Sequence, residues 1–226
     1  MNKIILFLKS IWRANPKTIY FNFKYLPWQQ AIHFPIWVSS NTVLHKTKGE
    51  ISINTGLKTG MIRIGYGNIG LFDKKRSRTI WEVSGTVIFE GNTDIGHGSK
   101  IVVGQNGVLS FGKNFSITAE STLVAFKKIT FGDDCLISWD VLFMDTDFHP
   151  IMNANTEILN PPSEIVIGKS VWIGCRSVIL KGSTIPDGCI IAANSLVSKK
   201  LTGENQIFGS QSLHVIKQNI QWSKYE

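Results

Sequence analysis

Between Phe143 and Ile165 the sequence runs Met144-Asp-Thr-Asp-Phe-His-Pro-Ile-Met-Asn-Ala-Asn-Thr-Glu-Ile-Leu-Asn-Pro-Pro-Ser-Glu164, with one imidazole, His149, close to two carboxylates, Asp145 and Asp147. A neutral imidazole, with a pKa of about 6.5, can take a proton from a weakly acidic hydroxyl at neutral pH, which makes His149 the candidate general base. Asp145 or Asp147 could hold its ring in one tautomer, and the spacing does not choose between them. The remaining histidines, His33, His45, His97 and His214, are scattered, so three imidazoles converging on zinc are not indicated and no metal is expected. Cys135, Cys175 and Cys189 are odd in number and form no CxxC pair. That argues against a disulfide framework or a zinc ribbon and fits a reducing compartment.

The elements that must position these residues follow from a period. Ile167, Ile173, Ile179, Ile185, Ile191 and Val197 stand six apart without a slip, and mostly small residues follow four positions later at Val171, Ser177, Ser183, Cys189 and Ser195. Six fits neither the 3.6 of a helix nor the alternation of a hairpin strand. It fits a parallel β-helix in which each unit is a short strand and a corner, three units making one coil of about 18 residues. The aliphatic points inward and the small residue fills the corner, so Cys135 and Cys189 read as core fillers rather than reactive thiols. The period recurs in worn form through Val83, Phe89, Ile95 and Ile101, then Phe111, Ile117, Leu123 and Ile129, then Phe131, Ile137 and Phe143. Each shift of phase is followed by a similar opening, Leu109-Ser-Phe-Gly, Ile129-Thr-Phe-Gly and Ile165-Val-Ile-Gly. An all-β solenoid is expected over about 81–201, with Ile51–Gly70 as an irregular first coil. The segment 144–164 is an excursion from it, and long loops in compact domains usually carry function.

Charge divides the chain of 226 residues unevenly. Residues 1–80 hold thirteen Lys/Arg against Glu50 and Asp73, while the rest is slightly acidic, giving +8 in all. Residues 1–37 interleave basic side chains with Phe7, Trp12, Tyr20, Phe21, Phe23, Tyr25, Trp28, Phe34 and Trp37, and a second basic cluster is Lys74-Lys-Arg-Ser-Arg78. Ile4, Leu8 and Ile11 share one helical face. Such a segment either meets anionic lipid at a membrane surface or caps the open end of the solenoid. Nucleic acid is not expected, because no recognition motif accompanies the charge. The apolar run Ile4–Leu8 is far short of a span of about 20 residues and lacks a signal cleavage site, so a soluble, cytoplasmic protein is expected, with peripheral membrane contact through residues 1–37 as one reading.

The hexapeptide run, Asp145-Thr-Asp-Phe-His-Pro150, Ser170-Val-Trp-Ile-Gly174 and Ala192-Ala-Asn-Ser-Leu-Val-Ser-Lys199 together resemble the maltose, galactoside and xenobiotic O-acetyltransferase family. The resemblance covers about residues 81–217. The first 80 residues look more like bacterial capsule and lipopolysaccharide acetyltransferases. It implies a left-handed parallel β-helix, although the crossover rule alone favours the right hand. It also implies a domain at 81–217, a basic N-terminal segment at 1–80 and a tail at 218–226.

The same resemblance implies acetyl-CoA as donor, bound along a groove between subunits of a homotrimer, and a sugar hydroxyl of a surface glycan or its precursor as acceptor. His149 aligns with the family's catalytic histidine. Cys175 matches the backbone position at the thioester, where an N–H aimed at the developing oxyanion would matter most. Ala193 matches the contact to the pantetheine arm, and Ser198 and Lys199 the pair near the nucleotide. His214 and Lys217 stand where two arginines are common, so phosphate binding is weaker or shared with Lys181 and Lys200. Trp172 packs beside the coenzyme or caps the coil edge. The Asn and Asp that hold small-sugar acceptors are not retained in Ile117-Thr-Ala-Glu-Ser121 or Ala125-Phe-Lys127, which leaves Glu120 as the candidate acceptor contact and makes a simple galactoside or maltose a poor fit. N-acetylation of an amino-sugar, a zinc carbonic anhydrase and a non-catalytic scaffold are the competing readings; the scattered histidines oppose the second and the histidine loop the third.

Overall fold

Each inward position of the strict repeat, from Ile167 through Val197, is at most 2 % exposed, and the small residues four positions on are buried at the corners. The computed structural model describes residues 15–67, 69–209 and 214–218. Among them, twenty-two strands fall into three sheets of nine, seven and six, the three faces of a prism. One coil takes one strand from each face in turn. The seven coils begin with β1 Ile36–Val38, β2 Val43–Thr47 and β3 Glu50–Ile53, then β4 Ile62–Tyr66, β5 Ile80–Val83 and β6 Thr86–Phe89. They continue through β7 Thr93–Gly96, β8 Lys100–Val103, β9 Val108–Phe111, β10 Phe115–Ile117, β11 Thr122–Ala125 and β12 Lys128–Phe131. The last are β13 Leu136–Ile137, β14 Leu142–Met144, β15 Ile165–Ile167, β16 Trp172–Ile173, β17 Val178–Leu180, β18 Thr184–Ile185, β19 Ile190–Ile191 and β20 Leu196–Val197. Rungs pair in parallel, as Ile137 with Ile173 and Ile173 with Ile191. β21 Ile207–Gly209 adds one more parallel rung to the first face, and β22 His214–Lys217 turns back antiparallel on it.

The ladder therefore starts at Ile36, ahead of residue 81 where the period becomes legible, and Ile51–Gly70 is divided between the first and second coils. Two register shifts hide the early coils, between Leu44 and Lys46 and between Ile64 and Tyr66. A thirteen-residue insertion, 67–79, separates β4 from β5 and breaks the count again.

Side chains stack along the axis where rungs coincide. Phe89, Phe111 and Phe131 lie nearly parallel, with ring centroids 5.4 and 5.7 Å apart, and Phe143 meets Phe131 edge-on at 5.0 Å. The repeated opening ending in glycine has a packing cause. A Cβ on Gly112 would lie 2.3 Å from the backbone of Gly132, and one on Gly132 would lie 2.6 Å from the backbone of Gly168, so this edge admits no side chain. Cys135 and Cys189 are fully buried, their thiols donating to the carbonyls of Gly168 at 3.1 Å and Gly203 at 3.4 Å. Burial pushes the Cys189 thiol up, which fits a filler.

The open end is closed by α1 Pro16–Tyr25 and α2 Trp28–Ala31. Asn15 caps α1, accepting from the N–H groups of Lys17 and Thr18. Asn22 donates to the Ile36 carbonyl at 2.6 Å and accepts from its N–H, and Thr18 does the same for Val38, so two side chains satisfy the exposed edge of β1. Phe21 meets Trp81 edge-on at 5.1 Å, and the Trp81 indole donates to the Tyr25 hydroxyl, whose pKa burial pushes up to about 12. The other side of the cap leaves Ile19, Tyr20, Phe23 and Trp28 exposed. The helical face through Ile4, Leu8 and Ile11 lies outside the described residues.

Candidate active site

The excursion leaves the prism after β14, at the edge between the second and third faces, and its root is Asp145. That carboxylate is fully buried and accepts three backbone N–H groups from the neighbouring corner, Phe126 at 2.7 Å, Lys127 at 2.8 Å and Lys128 at 2.7 Å. Beyond it, the N–H of Phe148 donates to the Thr146 hydroxyl, and Phe148 takes a left-handed φ of 59°, a rare conformation for an aromatic residue. Its ring meets Phe126 edge-on at 5.1 Å. Together these turn the chain so that His149 is presented at the surface, beside a small cavity of about 150 Å³ bounded by Pro150, Ile158, Asn160 and Pro161. A backbone bridge between Met152 and Ile158 then folds the arm onto itself.

Asp147 is held by partners from elsewhere in the chain. It accepts from the Lys181 ammonium at 2.5 Å and from the Asn160 amide at 2.8 Å, and the same ammonium donates to the Asn160 carbonyl at 2.9 Å. Asn160 also donates to the His149 carbonyl and accepts the Ile151 N–H, which makes it the hub of the loop. Among the described residues neither orienting candidate bonds the His149 ring: Asp145 is engaged by the corner, and Asp147 by Lys181 and Asn160. Lys181, expected near the coenzyme phosphates, fastens the loop. Sequence reasoning missed Asn160; its one signal was its place ahead of Pro161-Pro162.

Lys181 first, and Asn160 second, hold the Asp147 carboxyl below its ordinary 3.8. Its contribution to loop order is therefore complete above about pH 4 and is lost as the pH falls through the lowered value. The side-chain amide NMR signal of Asn160 should titrate with a midpoint below 3.8, and Lys181→Met should move that midpoint upward. A midpoint unchanged by the substitution would show that the ammonium does not hold this carboxylate in solution.

The remaining expected residues divide between two edges. Ser198 and Lys199 are exposed at the corner after β20, on the same edge as His149. Cys175 and Ala193 lie on the edge between the first and second faces, after β16 and β19, one rung apart, with the Asn194 N–H donating to the Cys175 carbonyl at 2.9 Å. Ala193 is exposed and Cys175 half-buried. The Trp172 indole leans to that edge and donates to the Ser138 hydroxyl at 3.2 Å. Lys217 is described only by its backbone, on β22. Glu120 is on the Cys175 edge, two coils nearer the cap, but its carboxylate is occupied: it accepts from Lys100 at 2.6 Å and from the Ser77 hydroxyl. Burial pushes Glu120 up, yet Lys100 and Ser77 outweigh it and hold the group below its ordinary value. In this structure Glu120 is a post for the 67–79 insertion. Within one chain the second face separates His149 from Cys175 and Ala193.

Residues 164–199 match the family Bacterial transferase hexapeptide (six repeats). A polysialic acid O-acetyltransferase of Escherichia coli O1:K1 is 29% identical over 56% of this chain and 39% of its own length. A galactoside O-acetyltransferase of Escherichia coli K12 is 37% identical over 46% of this chain and 48% of its own. The chain thus spans about half the length of these curated relatives, or less. The crystal structure of a polySia-specific acetyltransferase superposes with a TM-score of 0.50 at 23% identity, covering 84% of this chain and 80% of that one. The chain resembles hexapeptide-repeat O-acetyltransferases in sequence, and its fold is the left-handed parallel β-helix of such proteins.

Proposed function

We propose that this chain is an acetyl-CoA-dependent O-acetyltransferase that modifies a sugar hydroxyl of a surface glycan or its precursor, with His149 as general base. The observation that carries the proposal is the loop itself: a buried carboxylate, a left-handed Phe148 and the Asn160 hub all serve to present one imidazole on the stretch of solenoid that precedes the matched repeats. In the reaction, the imidazole takes the hydroxyl proton as the oxygen attacks the thioester carbon. The C–O bond forms, the C–S bond breaks, and the imidazolium returns its proton to the departing thiolate. An N–H at Cys175 would face the oxyanion, and Ala193, Ser198 and Lys199 would line the donor groove.

The division between edges supports the homotrimer implied by the resemblance, in which a second copy would bring its Cys175 edge to the His149 edge of the first. The arm supports this, because Phe148, Ile151, Met152, Ile158 and Leu159 are all more than half exposed in the single chain. Among the described residues no helix is long and apolar enough to cross a membrane. The exposed Ile19, Tyr20, Phe23 and Trp28 on the cap support peripheral membrane contact within the proposed cytoplasmic setting.

Titration of the purified assembly with acetyl-CoA by calorimetry tests this reading. One binding event per chain is expected, followed by transfer to a hydroxyl in a panel of sugars and amino-sugars. Absence of binding by a folded assembly would overturn the donor assignment, and a monomer in sedimentation would overturn the shared site.

A further inference from the structure

The insertion 67–79 is the largest departure from the coil apart from the histidine loop, and it lies over the edge that carries Cys175 and Ala193. Corners elsewhere on this edge take about four residues; this one takes thirteen. The segment is fastened along its length. Asn41 donates to the carbonyls of Lys74 at 2.8 Å and Ser77 at 3.2 Å. Ser77 donates to Glu120, two coils away, and Glu120 is in turn held by Lys100. Phe72 meets the buried His97 ring edge-on at 6.2 Å, and Asp73 turns the chain by accepting from the Arg76 and Ser77 N–H groups.

What these attachments present is cationic. Lys74, Lys75, Arg76 and Arg78 are all exposed, with Asp73 the one acid in the segment. Lys74 and Lys75 line an open depression of about 860 Å³, whose other walls include Ser39, Ser40, Asn41 and Tyr66. Hydroxyls, an amide, a phenol and two ammonium groups around a concavity suit a ligand with many hydroxyls and some negative charge. They do not suit an acyl chain. The depression is at the second coil and Cys175 at the sixth, four rungs or roughly 19 Å apart along one edge.

We infer that this depression binds the acceptor, and that the acceptor is an acidic oligosaccharide or polysaccharide, its carboxylates met by Lys74 and Lys75 while a more distant sugar reaches the transfer site. The inference rests on the proposed acetyltransferase reading for its direction along the edge, but the binding site itself does not. It also gives Glu120 a function: it positions the cationic segment and does not touch sugar.

The test is binding of hexagalacturonate, a six-sugar uronic acid chain, and of the same hexamer with its carboxyls reduced to alcohols, by calorimetry on the full chain. The carboxylated hexamer should bind, and binding should weaken severalfold between about 0.05 and about 0.5 M NaCl. The exposed double variant Lys74→Glu/Lys75→Glu should weaken it about tenfold or more, with acetyl-CoA affinity unchanged. Equal binding of the reduced hexamer, or none of the acidic one, would overturn the inference. A loss of acetyl-CoA affinity in the variant would assign the lysines to the donor, and binding only to vesicles of anionic phospholipid would assign them to a membrane; either result overturns it. Acidic-glycan binding by a chain that takes no acetyl-CoA would leave this site standing and remove the enzymatic reading.

Discussion

Replacing His149 by alanine is expected to lower acetyl transfer about 10²–10⁴-fold while leaving the fold and acetyl-CoA affinity intact. The separation of effects follows from how the loop is held. Asp145 fixes its root, Phe148 and Phe126 fix the turn, and Asn160 grips the His149 carbonyl rather than its ring. Removing an exposed imidazole therefore costs no packing and no structural hydrogen bond, and stability should stay within about 0.5 kcal/mol. Donor binding should also be retained, because in the proposed reaction the imidazole acts on the acceptor hydroxyl, while Cys175, Ala193, Ser198 and Lys199 line the donor groove. The check is kcat for the purified variant beside its acetyl-CoA affinity and unfolding midpoint. Retention of a tenth or more of the rate would place the base elsewhere, and a parallel loss of acetyl-CoA binding would make His149 a donor contact.

The ease with which the sequence could be read varies along the chain for physical reasons. From Ile167 to Val197 each coil is three units of six without interruption, so composition and period coincide and the inward column could be named residue by residue. Before residue 81 the same architecture is present, but a register shift near Lys46, another near Gly65 and the insertion 67–79 each break the count. A solenoid is legible only while its corners are equal in length. The cap illustrates a different limit. Basic and aromatic residues in 1–37 fit a lipid surface or an end cap equally well, and α1 is amphipathic in that sense: Phe21 and Tyr25 close the prism while Tyr20 and Phe23 face out. At the site, residue types singled out one imidazole as the candidate base, since one histidine stood in one long loop. They could not assign the carboxylates, because Asp145 and Asp147 differ by burial alone, which spacing does not encode. The partners of Glu120 and Lys181 were hidden for the same reason: a charged residue in a strand corner looks alike whether it meets ligand or another part of the chain.

Asp145→Ala is expected to destabilise the protein by about 2–4 kcal/mol and to abolish transfer in whatever remains folded. The carboxylate is fully buried and its two oxygens accept three backbone N–H groups within 2.8 Å, from Phe126, Lys127 and Lys128. Hydrogen bonds to a charged acceptor contribute about 1.5–3 kcal/mol each, but these donors sit on an exposed corner where water can replace part of the loss, which sets the lower total. Asp145→Asn should fall between, since Oδ2 holds two of the three N–H groups and an amide carbonyl can keep them, while its NH2 would then face the Phe126 donor. If Asp145 instead oriented the imidazole, the asparagine variant would lose rate with its stability unchanged. The geometry requires the opposite order, stability falling first and rate following as the root of the loop loosens. Unfolding midpoints at one fixed protein concentration, compared with kcat for both variants, separate the two, because assembly makes the midpoint depend on concentration. An Asp145→Asn protein as stable as the parent but inactive would return this carboxylate to the catalytic pair.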